Sequence, residues 1–599
     1  MRRVIWVGCL ILLLAAGLRW SGLDSRSLWH DEGNSLRLAE RSISDLIEAT
    51  SHDIHPPGYY LILKAWITLV GTSELGLRSL SAYWGILAVA ATWGVGRRLY
   101  DWQAGAVAAL LVALNPFVVY YSQEARMYAQ LGAVSILSLW VLLHWLDSRQ
   151  HGWGIALLVL NTLGLYTHYT YPLTMLTQGA YFLWRWRDSR WGLWPYALAN
   201  VTTIALFLPW LPTAYRHITT WPTTGDATPT LERLERMVAL LTLGHSEWSL
   251  VAYGMGAVLL IGLFRPPVRH IGLPALLCGL SVGSLLLSGA YRETNLKFLL
   301  PAQSAAALLL GWGAVNLQWR RIPFGVMAAG VLAIGAVMSG AGIVHGDYRG
   351  IVAAIHPRQG DAIILNAPNQ QEVFSYYYHG TAPVFPLPIG LGGDDPATAA
   401  ATREIIANYQ RIYLVLWGQQ ERDPNGVVQA TLDNEAFVVG RRWYGDVELV
   451  QYAVLAPPPT EPTHLLNMAF GEHITLVGYA LSGDSFSAGQ GDALGVTLFW
   501  STAAPLDQRY KISVQLLTPQ GTLADQHDSE PRNGQAPTPT WQVGQTVIDN
   551  HGLALDDSLG AGEYRLVVVV YGAESPYTRL LPANGDPNAV LTLGTITLH

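Results

Sequence analysis

Long apolar runs separated by short polar segments fill the first 344 positions of the chain. A run of roughly 17 to 25 apolar residues is long enough to cross a bilayer as a helix. The pattern predicts eleven spans, near residues 4–18, 75–95, 104–121, 127–146, 152–167, 171–184, 193–211, 250–264, 271–287, 298–317 and 322–344. Residues 1–344 are therefore predicted to form a polytopic α-helical membrane domain.

One further apolar run, at 56–71, has Lys64 in its middle and determines the sidedness of all that follows. If it lies in the membrane interface, the short basic loops of the domain share one side with Arg2 and Arg3. This arrangement obeys the positive-inside rule. We therefore predict an interfacial or re-entrant segment, a cytoplasmic N-terminus, and an extracytoplasmic location for everything after His345.

The pattern changes after residue 344 to short apolar strands, turns and one helical stretch. The pattern in residues 345–456 predicts an extracytoplasmic α/β domain, with strands at 362–365 and 411–416 and a helix at 397–409. A Pro-rich linker follows at 457–466. Alternating segments in 467–599, separated by Gly, Pro, Asp and Asn, predict a C-terminal extracytoplasmic β-sandwich.

Composition and charge agree with this division. The 599 residues are 51% hydrophobic and 13% charged, whereas soluble proteins carry roughly a quarter charged residues. Up to His345 there are 24 Lys and Arg against 17 Asp and Glu, and beyond it 12 against 26, so the net charges are +7 and −14. An acidic tail argues against nucleic acid as a partner. Cys9 and Cys278 both lie in apolar runs, which excludes a disulfide framework.

The most informative polar motif follows the first span, where Asp31 and Glu32 open a short amphipathic helical stretch at 35–49. Adjacent carboxylates at a helix start are often simple N-terminal capping, which the helix dipole favours. The functional interpretation is that one carboxylate accepts a proton from an acceptor hydroxyl while the other orients it or binds an ion.

A second motif contains Asp53 and His55, directly before Pro56 and Pro57. Three interpretations remain open: a metal site, contact with a lipid-linked phosphate, or a polar cap on an interfacial helix. The residues that would hold a metal are Asp31, Asp53 and His55, but their spacing matches no compact metal motif. A divalent cation, Mg²⁺ or Mn²⁺, is thus a candidate cofactor, and no cofactor is required by the sequence.

Further polar groups lie at the predicted outer ends of later spans. Arg126 and Arg78 offer a guanidinium fork suited to phosphate oxygens, although an arginine at a span end also reaches lipid headgroups without any catalytic role. Glu124 and Tyr128 flank Arg126, and His168 stands within a Tyr-rich stretch at 166–171. An aromatic belt explains the tyrosines of this stretch but not its histidine.

Five motifs together resemble one family: Trp-His-Asp-Glu at 29–32, His-Pro-Pro-Gly-Tyr-Tyr at 55–60, Tyr-Ser-Gln-Glu-Ala-Arg-Met-Tyr at 121–128, Tyr-Thr-His-Tyr at 166–169 and Lys-Phe-Leu-Leu-Pro-Ala at 297–302. They resemble the bacterial protein O-mannosyltransferase and aminoarabinose transferase group, which are GT-C-fold glycosyltransferases that use polyprenyl-phosphate sugars. The resemblance covers about residues 1–344. The aminoarabinose branch usually has Lys-Pro where this chain has His-Pro-Pro. Aminoarabinose is therefore a poorer match than a hexose as the transferred sugar.

The resemblance implies an inverting transfer of a sugar, such as the hexose mannose, from a polyprenyl-phosphate carrier to an acceptor on the outer face. By motif match Asp31 is the catalytic base, with Glu32 beside it. The donor phosphate is assigned to His55, Arg126, Arg78 and Lys297, and Lys297 replaces the Arg of many relatives. Substrate contact is assigned to Glu124, Tyr128, His168 and Tyr59.

The expected partners are a polyprenyl-phosphate-linked sugar, an acceptor protein, lipid or glycan, and the lipid bilayer. The alternative from another class is a polytopic transporter or lipid flippase with glycan-binding outer domains, which needs no base and favours midplane ionisable residues. A third is an envelope adhesin anchored by the spans. Four tail tryptophans are candidates either for sugar stacking or for the core: Trp417, Trp443, Trp500 and Trp541.

Overall fold

A computed structural model describes residues 2–186, 193–220, 228–244, 256, 259–260, 263–264, 268–316, 344–487, 493–555 and 558–599. The chain divides into two compact units, Met1–Ile343 and Val344–His599. The first is helical, and the second combines helices with three sheets.

The helices of the first unit follow one another through short turns. Their bounds are α1 Arg2–Trp20, α2 His30–Glu40, α3 Ile43–Ser51, α4 Gly58–Val70, α5 Glu74–Leu99, α6 Trp102–Leu114, α7 Pro116–Ser122, α8 Tyr128–Ser148, α9 His151–Thr167, α10 Pro172–Trp186, α11 Leu193–Phe207, α12 Leu211–Thr219, α13 Thr230–Leu243, α14 Val268–Leu287 and α15 Leu300–Asn316. Two 3₁₀ helices, Leu208–Trp210 and Glu293–Leu299, precede α12 and α15.

Within the described residues, four helical stretches are long and apolar enough to cross a membrane, so the chain is an integral membrane protein. They are Arg2–Trp20, Tyr128–Ser148, Leu193–Thr219 and Glu293–Val315, and the bent pair α6–α7 is a fifth candidate. Within the part of the chain that the structure describes, this count does not confirm the eleven spans predicted. Helix α9, with 17 residues, rises about 1.5 Å per residue and falls short of a hydrocarbon core about 30 Å thick. The predicted runs 250–264 and 322–344 lie almost entirely outside the described residues.

The predicted span 104–121 is broken rather than continuous. Between α6 and α7 the axis bends by 61°, at Asn115 and Pro116. Proline has no backbone N–H to continue the helical ladder, and the Asn115 side chain caps α7 by accepting from the Val118 N–H at 3.1 Å. The buried Arg19 guanidinium donates to the carbonyls of Val112 and Ala113 at 3.1 and 3.0 Å, so it satisfies the exposed end of α6.

The ambiguous run 56–71 forms the 13-residue helix α4. Its Lys64 donates to the carbonyls of Ala39 and Arg41, at 3.2 and 2.7 Å, where α2 ends. One side of α4 is buried through Tyr59 and Tyr60. The charge in the middle of this short helix therefore ties it to α2.

The second unit begins with an α/β portion whose elements agree with the predicted strands and helix. Its helices are α16 Tyr348–Ala354, α17 Gln371–Tyr377, α18 Asp395–Asn408, α19 Gln419–Arg422 and α20 Val427–Glu435, and its strands are β1 Asp361–Asn366, β2 Val384–Leu387, β3 Arg411–Leu416, β4 Phe437–Tyr444 and β5 Val447–Ala453. The sheet order is β2-β1-β3-β5-β4, with β1, β2 and β3 parallel and β5 antiparallel to both of its neighbours.

Two further sheets occupy the rest of the unit and share one hydrophobic core. The strands are β6 His464–Phe470, β7 Ile474–Leu481, β8 Ser485–Phe486, β9 Ala493–Thr502, β10 Tyr510–Leu517, β11 Leu523–Ser529, β12 Val547–Ala554, β13 Gly562–Gly572 and β14 Leu591–Leu598. One sheet has the order β11-β10-β13-β14-β8 and the other β12-β9-β7-β6. Inward side chains of both sheets, including Leu476, Trp500, Val514 and Val568, form the core.

The α/β portion packs directly against these two sheets. A Cβ on Gly552 would lie 2.4 Å from the Val438 carbonyl oxygen, so β12 approaches β4 too closely for any larger residue. Asp433 accepts hydrogen bonds from Asn533 and Gln535 at 3.1 and 2.8 Å, across the same junction. Burial raises the pKa of Asp433 to about 6. Polar and backbone contacts thus join the two portions into one unit.

The four tail tryptophans differ in burial, which predicts their contributions to stability. Trp500 is fully buried, whereas Trp443 is 65% exposed on strand β4. Trp500→Ala should lower the free energy of unfolding by about 3–5 kcal/mol, since it leaves a cavity in the shared core. Trp443→Ala should change it by less than about 0.5 kcal/mol. Denaturant unfolding of the full chain in detergent measures both, and equal effects would contradict this packing.

Candidate active site

The site begins at the first turn of α2, where His30, Asp31 and Glu32 follow the extended residue Trp29. Carboxylates are favoured there by the positive end of the helix dipole. The predicted single helix at 35–49 is instead two helices, because Ser42 accepts from the Asp45 N–H at 3.2 Å and starts α3 anew. The acidic pair therefore lies on its own short helix.

Glu32 is fully buried and is paired with Arg78 of α5. Arg78 donates through Nε to Oε1 at 2.8 Å and through a terminal nitrogen to Oε2 at 2.6 Å. The Ala125 N–H also donates to Oε1, at 2.9 Å. The same guanidinium donates to the carbonyls of Leu23, Arg26 and Ser27 at 2.7 to 2.9 Å. Glu32 and Arg78 therefore bind each other and fix the segment between α1 and α2.

Asp31 has a different environment, although it is the next residue along the helix. Its side chain is 25% exposed, with one carboxylate oxygen 3.4 Å from His30 Nε2 and the other 3.4 Å from a terminal nitrogen of Arg126. The structure thus places Asp31 and Arg126 side by side. Of the two adjacent acids, Asp31 is the one with an accessible carboxylate.

Arg126 lies between α7 and α8 and joins several elements. One terminal nitrogen donates to the Asp31 carbonyl at 3.2 Å, to Ser35 at 3.3 Å and to the Tyr60 hydroxyl at 3.5 Å. Burial by itself lowers the pKa of this guanidinium, but Asp31, Tyr60, Tyr128 and Asp53 together outweigh burial and raise the pKa well above the ordinary value. Its buried Nε has no hydrogen-bond partner among the described residues. Arg126 is therefore a fixed buried cation whose Nε–H can still donate a hydrogen bond to a ligand.

Tyr128 is the centre of the predicted donor-binding residues. The Arg126 guanidinium lies 5.9 Å from its ring centroid and Lys297 Nζ lies 4.7 Å from it, so two cations share one aromatic ring. The rings of His55 and His168 lie 6.4 and 6.2 Å from the Tyr128 ring. Residues that are far apart in sequence thus meet in one cationic and aromatic cluster.

The two histidines of this cluster are uncharged. Burial lowers the pKa of His168 to about 3, with Lys297 and then Arg126 adding to the effect. Burial, and next Arg126, lowers the pKa of His55 well below its ordinary value. His55 is 3% exposed, and neither ring nitrogen has a partner among the described residues. A neutral imidazole offers a phosphate one N–H donor but no charge.

The other predicted residues lie around this cluster. Asp53 accepts from the Ile54 N–H at 2.6 Å, its second carboxylate oxygen is buried, and burial raises the pKa of this group. Glu124 is buried against Tyr120, and Tyr59 is buried with its ring 5.7 Å from that of Tyr60.

Ser35 and Tyr60 contact Arg126 directly but were not predicted as site residues. Ser35 falls one turn after Asp31 on the same face of α2, and Tyr60 falls in the quoted motif at 55–60. Helical spacing could have identified Ser35, but only the packing of α4 identifies Tyr60.

The metal interpretation receives no support from a ligand cluster. Within the residues that the structure describes, no group of three or more His, Cys, Asp or Glu side chains is arranged to hold a metal ion. Of the candidates, Asp31 faces Arg126, a cation that would compete with a metal for its carboxylate. His55 lies near the same guanidinium.

A small apolar cavity, with room for about one water molecule, lies beside Tyr128 between the helices. It is lined by residues of α5, α6, α7, α8 and α15, which include Gly85, Val112, Ala129 and Leu300, with the polar groups of Gln303 and Ser304. Tyr128 therefore belongs both to the cationic cluster and to the wall of this cavity.

The ion pair of Glu32 and Arg78 predicts a large effect of mutation on stability. Glu32→Ala should lower the free energy of unfolding by about 3–5 kcal/mol, because it leaves the buried Arg78 charge uncompensated. Glu40→Ala on the same helix is the matched control, since Glu40 forms only an exposed pair with Arg37. Thermal unfolding in detergent measures both variants, and a neutral Glu32→Ala would contradict the pairing.

The neutral state of His168 predicts a dependence of stability on pH. Its folded pKa lies below the unfolded value of about 6.5, so this stabilising contribution is complete above pH 6.5 and decreases as the pH falls toward 3. Between pH 7.5 and 5.0 the wild type should lose about 2 kcal/mol through this residue, and His168→Gln should not. Comparing unfolding of the two proteins at both pH values measures the difference; parallel losses would show that His168 is not buried in its neutral form.

Residues 54–212 match the family model of dolichyl-phosphate-mannose-protein mannosyltransferase. This segment contains His55, Arg126, Tyr128 and His168, whereas Asp31 and Lys297 lie outside it. No curated protein matches the chain.

Several solved structures are similar at low identity. The Archaeoglobus fulgidus oligosaccharyltransferase in complex with Zn and sulfate is 11% identical, with 99% of this chain and 98% of that chain covered and a TM-score of 0.47. ArnT from Cupriavidus metallidurans in the apo state is 17% identical, with 77% and 100% covered and a TM-score of 0.40. AglB from Archaeoglobus fulgidus, in complex with an inhibitory peptide and a dolichol-phosphate, is 11% identical, with 100% and 97% covered and a TM-score of 0.45.

The family match confirms the resemblance that the motifs indicated. It extends over the part of the membrane unit that supplies most of the cluster around Tyr128. Over residues 54–212 this chain is similar to the dolichyl-phosphate-mannose-protein mannosyltransferase family.

Proposed function

We propose that this protein transfers a sugar from a polyprenyl-phosphate carrier to an acceptor, with inversion at the sugar carbon and with Asp31 as the general base. The observation that carries the proposal is the contact between Asp31 and Arg126 at 3.4 Å. It puts an accessible carboxylate beside a buried cation that belongs to the Tyr128 cluster. The reaction requires a general base and a phosphate-binding cation that can both reach one bound sugar phosphate.

The donor phosphate binds between Arg126 and Lys297 in this proposal. Both cations face the Tyr128 ring, and Arg126 Nε is a buried donor with no partner among the described residues. His55 adds an uncharged N–H donor. The carrier's isoprenoid tail lies in a groove between the membrane helices in this proposal.

The chemical step needs little from the protein beyond charge and position. Asp31 takes the proton from the acceptor hydroxyl, the hydroxyl oxygen bonds to the anomeric carbon, and the bond from that carbon to the phosphate oxygen breaks. The bonding electrons leave with the lipid phosphate, and Arg126 and Lys297 stabilise its charge. Attack from the side opposite the phosphate inverts the configuration of the sugar.

Glu32 and Arg78 support the step without touching the reactants in this proposal. Their mutual bonds use both carboxylate oxygens and the guanidinium fork. They fix the start of α2 and thereby the direction of Asp31. This assignment differs from the expected roles of Arg78 at the phosphate and of Glu32 beside the base.

The finer points of the proposal come from the sequence. Mannose follows from the family resemblance, and transfer on the outer face follows from a cytoplasmic N-terminus and eleven spans, with the α/β domain and a β-sandwich outside the cell. A divalent cation supplies Lewis-acid assistance where an enzyme of this kind binds one, and Asp31, Asp53 and His55 are the residues that would face it. The residues described above perform the transfer without it in this proposal.

A transporter or flippase is the second candidate function. The same cations would bind a lipid phosphate in that case, but no general base would be needed. Replacement of Asp31 therefore separates the two functions.

Asp31→Asn should lower sugar transfer by at least about 100-fold, because the amide cannot accept the acceptor's proton. Asp45→Asn, at an exposed position on α3, is the matched control and should retain activity. The measurement is mass spectrometry of lipid-linked sugars and envelope glycans in a deletion strain complemented with each variant. The inactive variant should accumulate the donor and leave the acceptor unmodified.

Expression and membrane insertion of Asp31→Asn should equal those of the wild type. Restoration of the glycans by Asp31→Asn would remove the base assignment. A change in lipid export without any change in glycans would favour the transporter.

A further inference from the structure

A continuous chain of hydrogen bonds links α12 and its neighbours to the end of α3. Trp210 Nε1 lies 3.1 Å from the Tyr169 hydroxyl, this hydroxyl lies 2.9 Å from His217 Nδ1, and His217 Nε2 lies 3.0 Å from the Ser51 carbonyl oxygen. His217 is 8% exposed and Trp210 is 6% exposed. These buried groups were not among the predicted site residues.

Each bond of this chain has a definite direction. A carbonyl oxygen only accepts, so His217 Nε2 carries the proton and donates to Ser51. In the neutral imidazole Nδ1 then accepts, and the Tyr169 hydroxyl is its donor. The indole of Trp210 donates to the Tyr169 oxygen, since an indole N–H cannot accept. Every polar group in the chain is satisfied in one tautomer of His217.

The Ser51 carbonyl receives a second donor from the same helix. Arg216 donates to it at 2.6 Å. Ser51 is the last residue of α3, and the final carbonyls of a helix have no partner within the helix. Adjacent residues of α12 therefore fix the point at which the chain leaves α3.

The segment that leaves α3 enters the proposed donor site. After Ser51 the chain passes Asp53 and His55 and then reaches Pro56 and Pro57, which restrict its conformation. His55 lies 5.7 Å from His168 and 6.4 Å from Tyr128, measured between ring centroids. The segment is thus held at one end by α12 and at the other by the rigid prolines.

The same chain of bonds also reaches the opposite side of the cluster. Tyr169 directly follows His168, whose ring faces His55. His217 therefore bonds to both segments that present the two histidines, through Ser51 on one side and Tyr169 on the other. A change at His217 alters the spacing between these segments without touching either histidine.

We propose that His217 is a positioning residue for the donor phosphate: it holds residues 52–55 so that His55 stays against Tyr128 and Arg126. The inference rests on the proposed function for the identity of the ligand but not for the restraint itself. Loss of the restraint should weaken donor binding, because a mobile His55 must be ordered when the phosphate binds. Deprotonation by Asp31 on α2 should be affected less.

Three substitutions test the proposal in the full-length protein in lipid nanodiscs. His217→Leu removes both hydrogen bonds, whereas His217→Gln keeps an N–H donor and an oxygen acceptor and should restore part of the effect. Tyr215→Phe is the control, because Tyr215 lies on the same helix and is 70% exposed. With polyprenyl-phosphate mannose as the donor, His217→Leu should raise the donor KM by about five- to tenfold and change kcat by less than about twofold.

A second measurement does not depend on activity. Hydrogen exchange of the amides of residues 52–55 should be faster in His217→Leu than in the wild type by about five- to tenfold. His217→Gln should lie between them, and Tyr215→Phe should match the wild type. This readout reports the restraint on the segment whatever the protein transfers.

The two measurements separate the failure of this inference from failure of the proposed function. Unchanged exchange in His217→Leu overturns the positioning role. Faster exchange together with a wild type that transfers no sugar leaves the restraint in place and removes the proposed function. Faster exchange with an unchanged donor KM, or an equal fall in kcat and in kcat/KM, overturns the role in donor binding.

Discussion

The buried guanidinium of Arg126 is the interaction on which the site depends. It is charged, its side chain is only 4% exposed, and it is bonded to α2 through Asp31 and Ser35 and to α4 through Tyr60. A buried cation is costly unless it is compensated, so the elements around it must keep their places. The same requirement keeps the Asp31 carboxylate beside the cation that we propose binds the donor phosphate. Stability and the proposed chemistry therefore rest on one group.

Two adjacent carboxylates show how small differences in direction separate structural from chemical roles. Successive residues of a helix point about 100° apart, so Glu32 faces the interior of the unit while Asp31 faces its partly accessible edge. Glu32 accepts from Arg78 and from a backbone N–H, and this fixes the helix that carries both acids. Asp31 keeps a carboxylate that solvent and an acceptor can reach.

Irregular backbone surrounds the site, and polar side chains make it stable. Arg19 donates to the open carbonyls where α6 ends, Lys64 to those where α2 ends, and Arg216 and His217 to that of Ser51. Each of these side chains satisfies a helix end that lacks an intrahelical partner. Cations in the membrane unit thus have two uses: some bind carbonyls at helix ends, and others are directed into the cluster around Tyr128.

Much of this protein follows from its sequence. The apolar runs and the change at residue 344 predicted a membrane unit and a mixed tail, because spanning length and strand alternation are local properties. The motifs also predicted the cluster residues Arg126, Tyr128, His55 and His168. The length of an apolar or amphipathic stretch did not predict where a helix ends. Asn115 and Pro116 split the apolar run 104–121, and Ser42 splits the amphipathic stretch 35–49.

Only the tertiary structure decided which acids and arginines pair with each other and which stay accessible. The sequence determined that acids, arginines and histidines stand at the ends of helices. Its motifs favoured Asp31 over Glu32 as the base but gave no partner for either acid, and it treated Arg78 and Arg126 alike. Packing pairs Glu32 with Arg78, leaves Asp31 beside Arg126, and brings His217 to Ser51 across 166 positions. The physical reason is that pairing, burial and pKa depend on distances in space, and residues far apart along the chain set those distances.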